Sequence, residues 1–197
     1  KHVRCVFVTQ AEALGLGHAV LCAKPVVGNE PFAVLLPDDL IWNTGRGALG
    51  QMVDLAEKEN ASVISVQEVP REQTSSYGIV AAPNFTGRFG AIEQIVEKPR
   101  PEVAPSNLAV VGRYVLSGDI FPILEKTRSG AGGEIQLTDA IAQLLKQDKV
   151  LAYQFEGRRF DCGTRIGLIE ATIQFELDHD DLADEARAYM QAALARK

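Results

Sequence analysis

No run in this 197-residue chain approaches the roughly 20 consecutive apolar residues that a membrane-spanning helix requires. No basic segment followed by an apolar one opens the chain, and a cytoplasmic location is the expectation. Cysteine is scarce: Cys5, Cys22 and Cys162 make an odd set, and none falls in a C-x-x-C pair. This excludes a disulfide scaffold and leaves reduced thiols, with Cys5 and Cys22 read as small buried hydrophobes. Positive charge is in deficit. The 20 Lys and Arg against 26 Asp and Glu give a formal net charge of -6, which excludes a general nucleic-acid binder, since that function needs a basic stripe. A phosphate ligand stays open, because one local lysine and a bound metal outweigh the average charge. Neither G-x-S-x-G nor a Walker motif occurs, and Cys162 has no histidine close by in sequence. Nothing therefore supports a serine or cysteine nucleophile or a P-loop.

Hydrophobic residues make up 46% of the chain, enough for a core, and the length suits one domain. Residues 1–10 read as a buried strand, Val3-Arg4-Cys5-Val6-Phe7-Val8, so abruptly that a missing front part is expected. A helix follows over 18–23. Phe32-Ala33-Val34-Leu35-Leu36 is a continuous apolar run, expected as a central strand buried on both faces. Residues 48–58 read as a helix with Met52, Leu55 and Ala56 on one face, and 61–69 as a strand. Strand, helix, strand, helix, strand is the pattern of a doubly wound α/β sheet. Next come strands over 77–82 and 89–97 flanking a turn at Pro83-Asn84 and Gly87, a strand over 108–116 and a short helix over 120–126. After a glycine-rich loop at 129–133, a helix is expected over 134–146 with Leu137, Ile141, Leu144 and Leu145 inward. Strands at 150–156 and 160–161 precede a helical tail whose Ile166, Ile169, Ile173 and Leu177 form one stripe. A last helix covers 180–197. With no internal repeat and no long linker, the expectation is one domain over 1–197, with 164–197 as a helical tail.

Six segments carry candidate chemistry. In Leu14-Gly15-Leu16-Gly17-His18-Ala19, glycine lets backbone N–H groups approach a flat base or a phosphate. Gln10 offers both a donor and an acceptor to a uracil edge. Alone, such a turn is more often a plain strand-to-helix connection, and His18 reads as a packed or capping residue. Asp38, in Leu36-Pro37-Asp38-Asp39, stands where an apolar strand ends, which is where α/β sheets bind ligands. A carboxylate there suits Mg²⁺, though Asp38 or Asp39 equally suits a cap or turn. Asp161, in Phe160-Asp161-Cys162-Gly163, is in a similar position, and two such aspartates would clamp one metal. In Val96-Glu97-Lys98-Pro99, Lys98 offers a compact charge to a phosphate and Glu97 accepts from sugar hydroxyls. Proline is expected to hold the backbone before it extended. Tyr77-Gly78 offers a ring and bare backbone to a sugar. Glu134 to Asp139 suits either a helix start that favours its dipole or a sugar-side or interface role.

Together these segments resemble the bacterial UTP–glucose-1-phosphate uridylyltransferases, or UDP-glucose pyrophosphorylases. The likeness runs through Gly15-Leu16-Gly17-His18-Ala19-Val20-Leu21-Cys22-Ala23, Ala104-Pro105-Ser106-Asn107-Leu108-Ala109-Val110-Val111-Gly112-Arg113, Gly133-Glu134-Ile135-Gln136-Leu137-Thr138-Asp139-Ala140-Ile141 and Asp161-Cys162-Gly163. The resemblance implies a Rossmann-like nucleotidyltransferase fold, a mixed central sheet flanked by helices, in an N-terminally truncated form. It implies that UTP and glucose-1-phosphate give UDP-glucose and pyrophosphate with Mg²⁺ as cofactor. By resemblance Gln10 and Gly15 meet the uracil, and Asp38 and Asp161 hold Mg²⁺. Gly78 and Glu97 meet sugar or ribose hydroxyls, Lys98 binds the sugar phosphate, and Gly112 lies beside the sugar pocket. A homo-oligomer, dimer or tetramer, is implied; no nucleic acid or membrane partner is.

The glycine-rich opening with an arginine and lysine that grips the triphosphate in such enzymes has no counterpart here. Weak or absent activity is therefore expected of this chain alone. The alternatives are a thymidylyltransferase or another sugar-phosphate nucleotidylyltransferase, a glycosyltransferase in which Asp38-Asp39 is the metal motif, and a non-catalytic, self-associating fragment.

Overall fold

The longest strand organises the fold. β7 (Leu108–Leu116) is one of nine strands among the described residues, with β1 (Phe32–Leu35), β2 (Asp39–Trp42), β3 (Ser62–Glu68), β4 (Gly78–Ala81), β5 (Phe89–Ala91), β6 (Gln94–Glu97), β8 (Val150–Tyr153) and β9 (Arg158–Asp161). The α-helices are α1 (Leu16–Cys22), α2 (Lys24–Val27), α3 (Ala48–Glu59), α4 (Ile120–Leu124), α5 (Leu137–Leu144), α6 (Arg165–Leu177) and α7 (Ala183–Leu194). The computed structural model describes residues 3–196; Lys1, His2 and Lys197, which the expected first strand and last helix included, lie outside the described residues. The chain divides into two compact units, one of residues 1–35 and 49–155, the other of residues 36–48 and 156–197.

The first unit is built on a seven-stranded sheet in the order β5-β8-β3-β7-β4-β6, with β1 paired to β7 off that path. Among the described residues β3 and β8 pair in parallel and the other ladders of this sheet are antiparallel, so the sheet is mixed. β5 and β6 sit at opposite ends of the path, yet only Ile92 and Glu93 separate them. Ile92 N–H donates to Val150 O on the β8 side at 2.9 Å, and Glu93 N–H donates to Ala81 O on the β4 side at 2.8 Å. A sheet whose end strands are joined by two residues must curl strongly. The expected single strand over 89–97 is thus two strands, and the turn at Pro83-Asn84 does not close one hairpin.

The core follows from side-chain periodicity. β3 and β7 are rich in β-branched residues buried on both faces, as central strands require. α5 buries Leu137, Ala140, Ile141 and Leu144 on one stripe against Phe121, Leu116 and Val110. Each such large apolar side chain contributes about 1.5–3 kcal/mol. α3 places Met52 and Leu55 on Val63, Val115 and Leu151. Lys149 holds the Glu59 carboxyl, at the end of α3, below the usual range through a 2.8 Å bond.

Several expectations are corrected here. Residues 3–10 form no strand: Val3, Val6 and Phe7 are exposed, Phe7 at 96%, and Cys5 is exposed as well. Apolar alternation supplies a face, but a strand also needs a ladder partner, and none of the described strands pairs with this segment. β1 is not buried on both faces. Its burial alternates, with Leu35 half exposed, because it pairs off the main path rather than inside it. The doubly wound pattern gives way to the mostly antiparallel ladders above. The helix expected from Glu134 starts at Leu137, since Glu134 and Ile135 are extended against the first glycine turn.

The second unit contains the antiparallel pair β2–β9, helices α6 and α7, and the loops between them. β9 alternates cleanly. Phe160 turns inward and meets Phe175 of α6, with Arg158 over its ring at 4.7 Å, while Arg159 and Asp161 share the opposite face. α6 is capped by Thr164, whose Oγ1 accepts from Gly167 N–H at 3.1 Å. Its buried residues are Gly167 and Ala171. The expected apolar stripe of Ile166, Ile169 and Ile173 instead faces solvent. Among the described residues no helix is long and apolar enough to cross a membrane.

Candidate functional site

The first glycine turn is held from two sides. Gly17 N–H donates to Ile135 O at 2.8 Å, and Ile135 N–H donates to Leu14 O at 2.7 Å. Gly15 precedes α1 with φ 97°, a conformation costly for any residue with a Cβ, and a Cβ there would also lie 2.7 Å from Glu134 Cβ. Gln10 reaches into the same turn. Its Nε2 donates to Gly15 O at 3.1 Å and lies 3.0 Å from His18 Nδ1. In this contact the Gln10 amide nitrogen faces His18 Nδ1. His18 therefore orients Gln10, in line with the packed role expected of it. The turn brings Gln10 and Gly15 together.

A second cluster forms where β4 and β6 pair. Gly78 is the ladder partner of Glu97. A Cβ at Gly78 would stand 3.2 Å from both Glu97 Oε2 and Thr138 Oγ1. The Glu97 carboxylate thus leans over bare backbone, where Thr138 Oγ1 donates to Oε2 at 2.7 Å. Lys98 Nζ lies 3.7 Å from Glu97 Oε1 and is half exposed. The backbone at Lys98 is not extended, contrary to the expectation from Pro99: φ is 45°. Lys98 N–H continues the ladder by donating to Tyr77 O at 3.0 Å, and the chain then turns out of the sheet. Left-handed backbone at a residue with a side chain is strain that the surroundings must hold, and it concentrates at functional positions. Tyr77 packs on Val69, Ile79 and Ala109.

Gly112 is placed elsewhere on the sheet. It sits in a bulge where β3 spends one residue, Ser65, against three of β7. Ser65 Oγ accepts from Arg113 N–H and offers its one proton to Arg113 O at 2.8 Å or Val111 O at 3.1 Å, which replaces part of the lost ladder. β7 is two strands from β6, which carries Glu97.

The aspartates of the second unit separate into two kinds. Asp39 is buried and bonded to Arg159, whereas its neighbour Asp38 is exposed in the turn before β2. Asp38 and Asp161 converge. A Cβ at Gly163 would lie 3.1 Å from Asp161 Oδ1 and 3.3 Å from Asp38 Oδ2, so both oxygens face the space that glycine leaves open. Cys162 N–H donates to Asp38 O at 2.7 Å, tying the two segments together. Among the described residues no group of three or more His, Cys, Asp or Glu forms a full protein cage for a metal. Two hard carboxylates around an open space fit Mg²⁺, which commonly takes one or two protein carboxylates and completes its shell with water and phosphate oxygens. Gly163→Ala is expected to keep the fold, because carboxylate ends can swing aside, and to weaken Mn²⁺ binding about tenfold. Thermal melting and a Mn²⁺ titration check the two halves of that expectation.

Two participants were missed from sequence: Arg159, which acts on Asp39 from far along the chain, and Gly167, which matters only because α6 approaches β9. Thr138 lies in the segment Glu134 to Asp139 already read as a helix start or a sugar-side element, but its partner Glu97 stands 41 residues earlier. The missing Cβ of Gly167 would fall within 2 Å of Asp161 O, at 1.9 Å. A helix-opening T-x-x-G after F-D-C-G was the one available signal.

The family described as nucleotidyl transferase matches residues 1–177. The chain is 49% identical over 167 residues to a Pseudomonas aeruginosa protein named UTP–glucose-1-phosphate uridylyltransferase, covering 84% of this chain and 60% of that one. It is 46% identical over 191 residues to a Bacillus subtilis protein of the same name, covering 97% of this chain and 65% of the relative. Among solved structures, UTP-bound UGPase from Acinetobacter baumannii superposes with a TM-score of 0.88 at 44% identity, covering 100% of this chain and 67% of that one. The chain thus spans 60–65% of the length of these two named relatives.

Proposed function

The chain belongs to the nucleotidyl transferase family, and from that premise we propose that its activity is that of a UTP–glucose-1-phosphate uridylyltransferase. The reaction joins UTP and glucose-1-phosphate into UDP-glucose and releases pyrophosphate. The observation that carries this reading is the pair Asp38–Asp161, converging over Gly163 in a chain whose relatives bear that name. The sugar phosphate is already a nucleophile, so the reaction needs no strong base. Its oxygen forms a bond to the α-phosphorus of UTP as the bond to the bridging β-oxygen breaks, and pyrophosphate leaves with that electron pair. Positioning and charge neutralisation then carry the catalysis.

Each cluster has one task in this scheme. Gln10, whose Nε2 is engaged within the turn, accepts from the uracil N3–H through Oε1, while Gly15 lets the base lie against bare backbone. Glu97, oriented by Thr138, accepts from sugar hydroxyls over Gly78. Lys98 offsets the charge of the sugar phosphate. Asp38 and Asp161 would hold Mg²⁺, which when bound neutralises and orients the phosphates. Gly112 contributes to the sugar side only through the shape of β7.

Two further readings belong here. A cytoplasmic place of action agrees with three free cysteines. A homo-oligomer, dimer or tetramer, is supported by the solvent-facing Ile166, Ile169 and Ile173 of α6; light scattering of the wild type and of Ile169→Glu checks it, and a monomeric wild type would remove it.

The decisive assay incubates the protein with UDP-glucose, pyrophosphate and Mg²⁺ and follows UTP release, with Asp38→Ala as control. Where the protein releases UTP, Asp38→Ala is expected to abolish the release. Equal turnover of dTDP-glucose would move the reading to a thymidylyltransferase, and glucose transfer to an acceptor without pyrophosphate would move it to a glycosyltransferase. In the same assay run forward, Lys98→Ala is expected to raise KM for glucose-1-phosphate while leaving KM for UTP unchanged. Losing one hydrogen bond to a charged group costs about 1.5–3 kcal/mol, a factor of about 10–100.

A further inference from the structure

Asp39 and Asp161 are directly opposite each other in the β2–β9 ladder. Two carboxylates in that relation repel. The arrangement is tolerated because Arg159, two residues before Asp161 on the same strand face, lies between them. Its Nε donates to Asp39 Oδ1, and its Nη2 lies 4.0 Å from Asp161 Oδ2. The pair is deep: the Arg159 side chain is 12% exposed and that of Asp39 7%, whereas Asp161 is 40% exposed. Asp161 Oδ1 accepts from Gly163 N–H at 3.1 Å, while Oδ2 faces the Arg159 guanidinium at ion-pair distance, 4.0 Å. With Oδ2 turned to Arg159, Oδ1 is the oxygen that shares the space at Gly163 with Asp38 Oδ2.

A buried ion pair adds little stability compared with well-packed apolar residues of the same size. Its value here is orientation. We propose that Arg159, fixed by Asp39, is a positioning residue that aims Asp161 at the metal space over Gly163. The inference rests on the reading of Asp38 and Asp161 as metal ligands. It also makes a prediction opposite to simple electrostatics. A guanidinium beside a cation site opposes the cation, so its removal would tighten binding if charge alone mattered. If Arg159 acts by aiming Asp161, its removal loosens binding.

The test titrates Mn²⁺ alone into the full chain and follows water-proton relaxation. It compares the wild type, Asp161→Asn, the double variant Asp39→Leu/Arg159→Met and Arg159→Lys. The double variant removes both charges of the pair together, and its melting temperature is measured beside its Mn²⁺ affinity so that a loss of fold is told apart from a loss of aim. Its Mn²⁺ dissociation constant is expected to rise about tenfold or more, the usual scale for loss of a group that orients a metal ligand. Arg159→Lys keeps the charge but has no fork with which to engage Asp39 and Asp161 at once. It is expected to weaken Mn²⁺ at least fivefold, and it decides the matter if the double variant does not fold. A dissociation constant less than fivefold above the wild type, or below it, in a folded variant overturns the proposal. Wild-type binding that Asp161→Asn leaves unchanged, or no wild-type binding, overturns the metal reading itself, and the proposal falls with it.

Discussion

Asp161→Asn is expected to lower kcat/KM for UDP-glucose pyrophosphorolysis by about 100-fold or more, equivalent to about 2.7 kcal/mol of transition-state stabilisation. The substitution preserves shape. An asparagine Oδ1 still accepts from Gly163 N–H, so the loop that carries the residue keeps its anchor. What goes is the negative charge of one of two carboxylates facing the open space at Gly163. A divalent cation bound by two protein carboxylates loses half of its protein charge in this variant, and the phosphates lose their orientation with it. The side chain is 40% exposed, so the melting temperature is expected to change little. The pairing of kinetics with melting is the check. A folded variant within tenfold of wild-type kcat/KM would remove Asp161 from the site, and a large loss of stability would show that it serves the fold.

Gly167→Ala is expected to act in the opposite way, through the fold first. A Cβ at 167 would stand 1.9 Å from Asp161 O, 2.7 Å from its carbonyl carbon and 2.9 Å from Thr164 Oγ1. The first two are backbone atoms at the end of β9 and cannot turn aside. The first turn of α6 must therefore move away, which also breaks the Thr164 cap and the bond from Thr164 Oγ1 to Asp161 O at 2.9 Å. Overpacking of this kind costs about 1–3 kcal/mol, and loss of the cap adds about 1 kcal/mol. A fall in melting temperature together with weaker Mn²⁺ binding is the expected result. Wild-type values for both would mean that α6 does not press on β9 this closely. Gly163→Ala is the natural comparison, because there the added methyl meets only movable carboxylate ends.

The helices show what periodicity can carry. α3 and α5 bury the residues that a 3.6-residue repeat assigns inward, Met52 and Leu55 on one, Leu137, Ile141 and Leu144 on the other. The strands show its limit. Segment 89–97 reads as one strand in sequence, but a bend at Ile92-Glu93 sends its halves to opposite ends of the sheet. β2 went unseen because Asp39 to Trp42 mixes an acidic residue with apolar ones, and its strand character comes from β9, about 120 residues on.

The site divides along the same line. The sequence by itself determined the amphipathic helices, the central strands β3 and β7, and the short motifs around Gly15, Asp38, Lys98 and Asp161, because helical periodicity, β-branching and side-chain chemistry are local properties. Residue chemistry alone left Asp38 and Asp39 alike, and the family resemblance selected Asp38. The tertiary structure supplies a physical difference between them, burying Asp39 against Arg159 and leaving Asp38 facing Asp161 across Gly163. It also decided that residues 3–8 make no strand, that the α6 isoleucines face outward, and that Thr138 orients Glu97. These depend on which distant backbone supplies a ladder partner, a close approach or a hydrogen bond, and distance along the chain carries no trace of that choice.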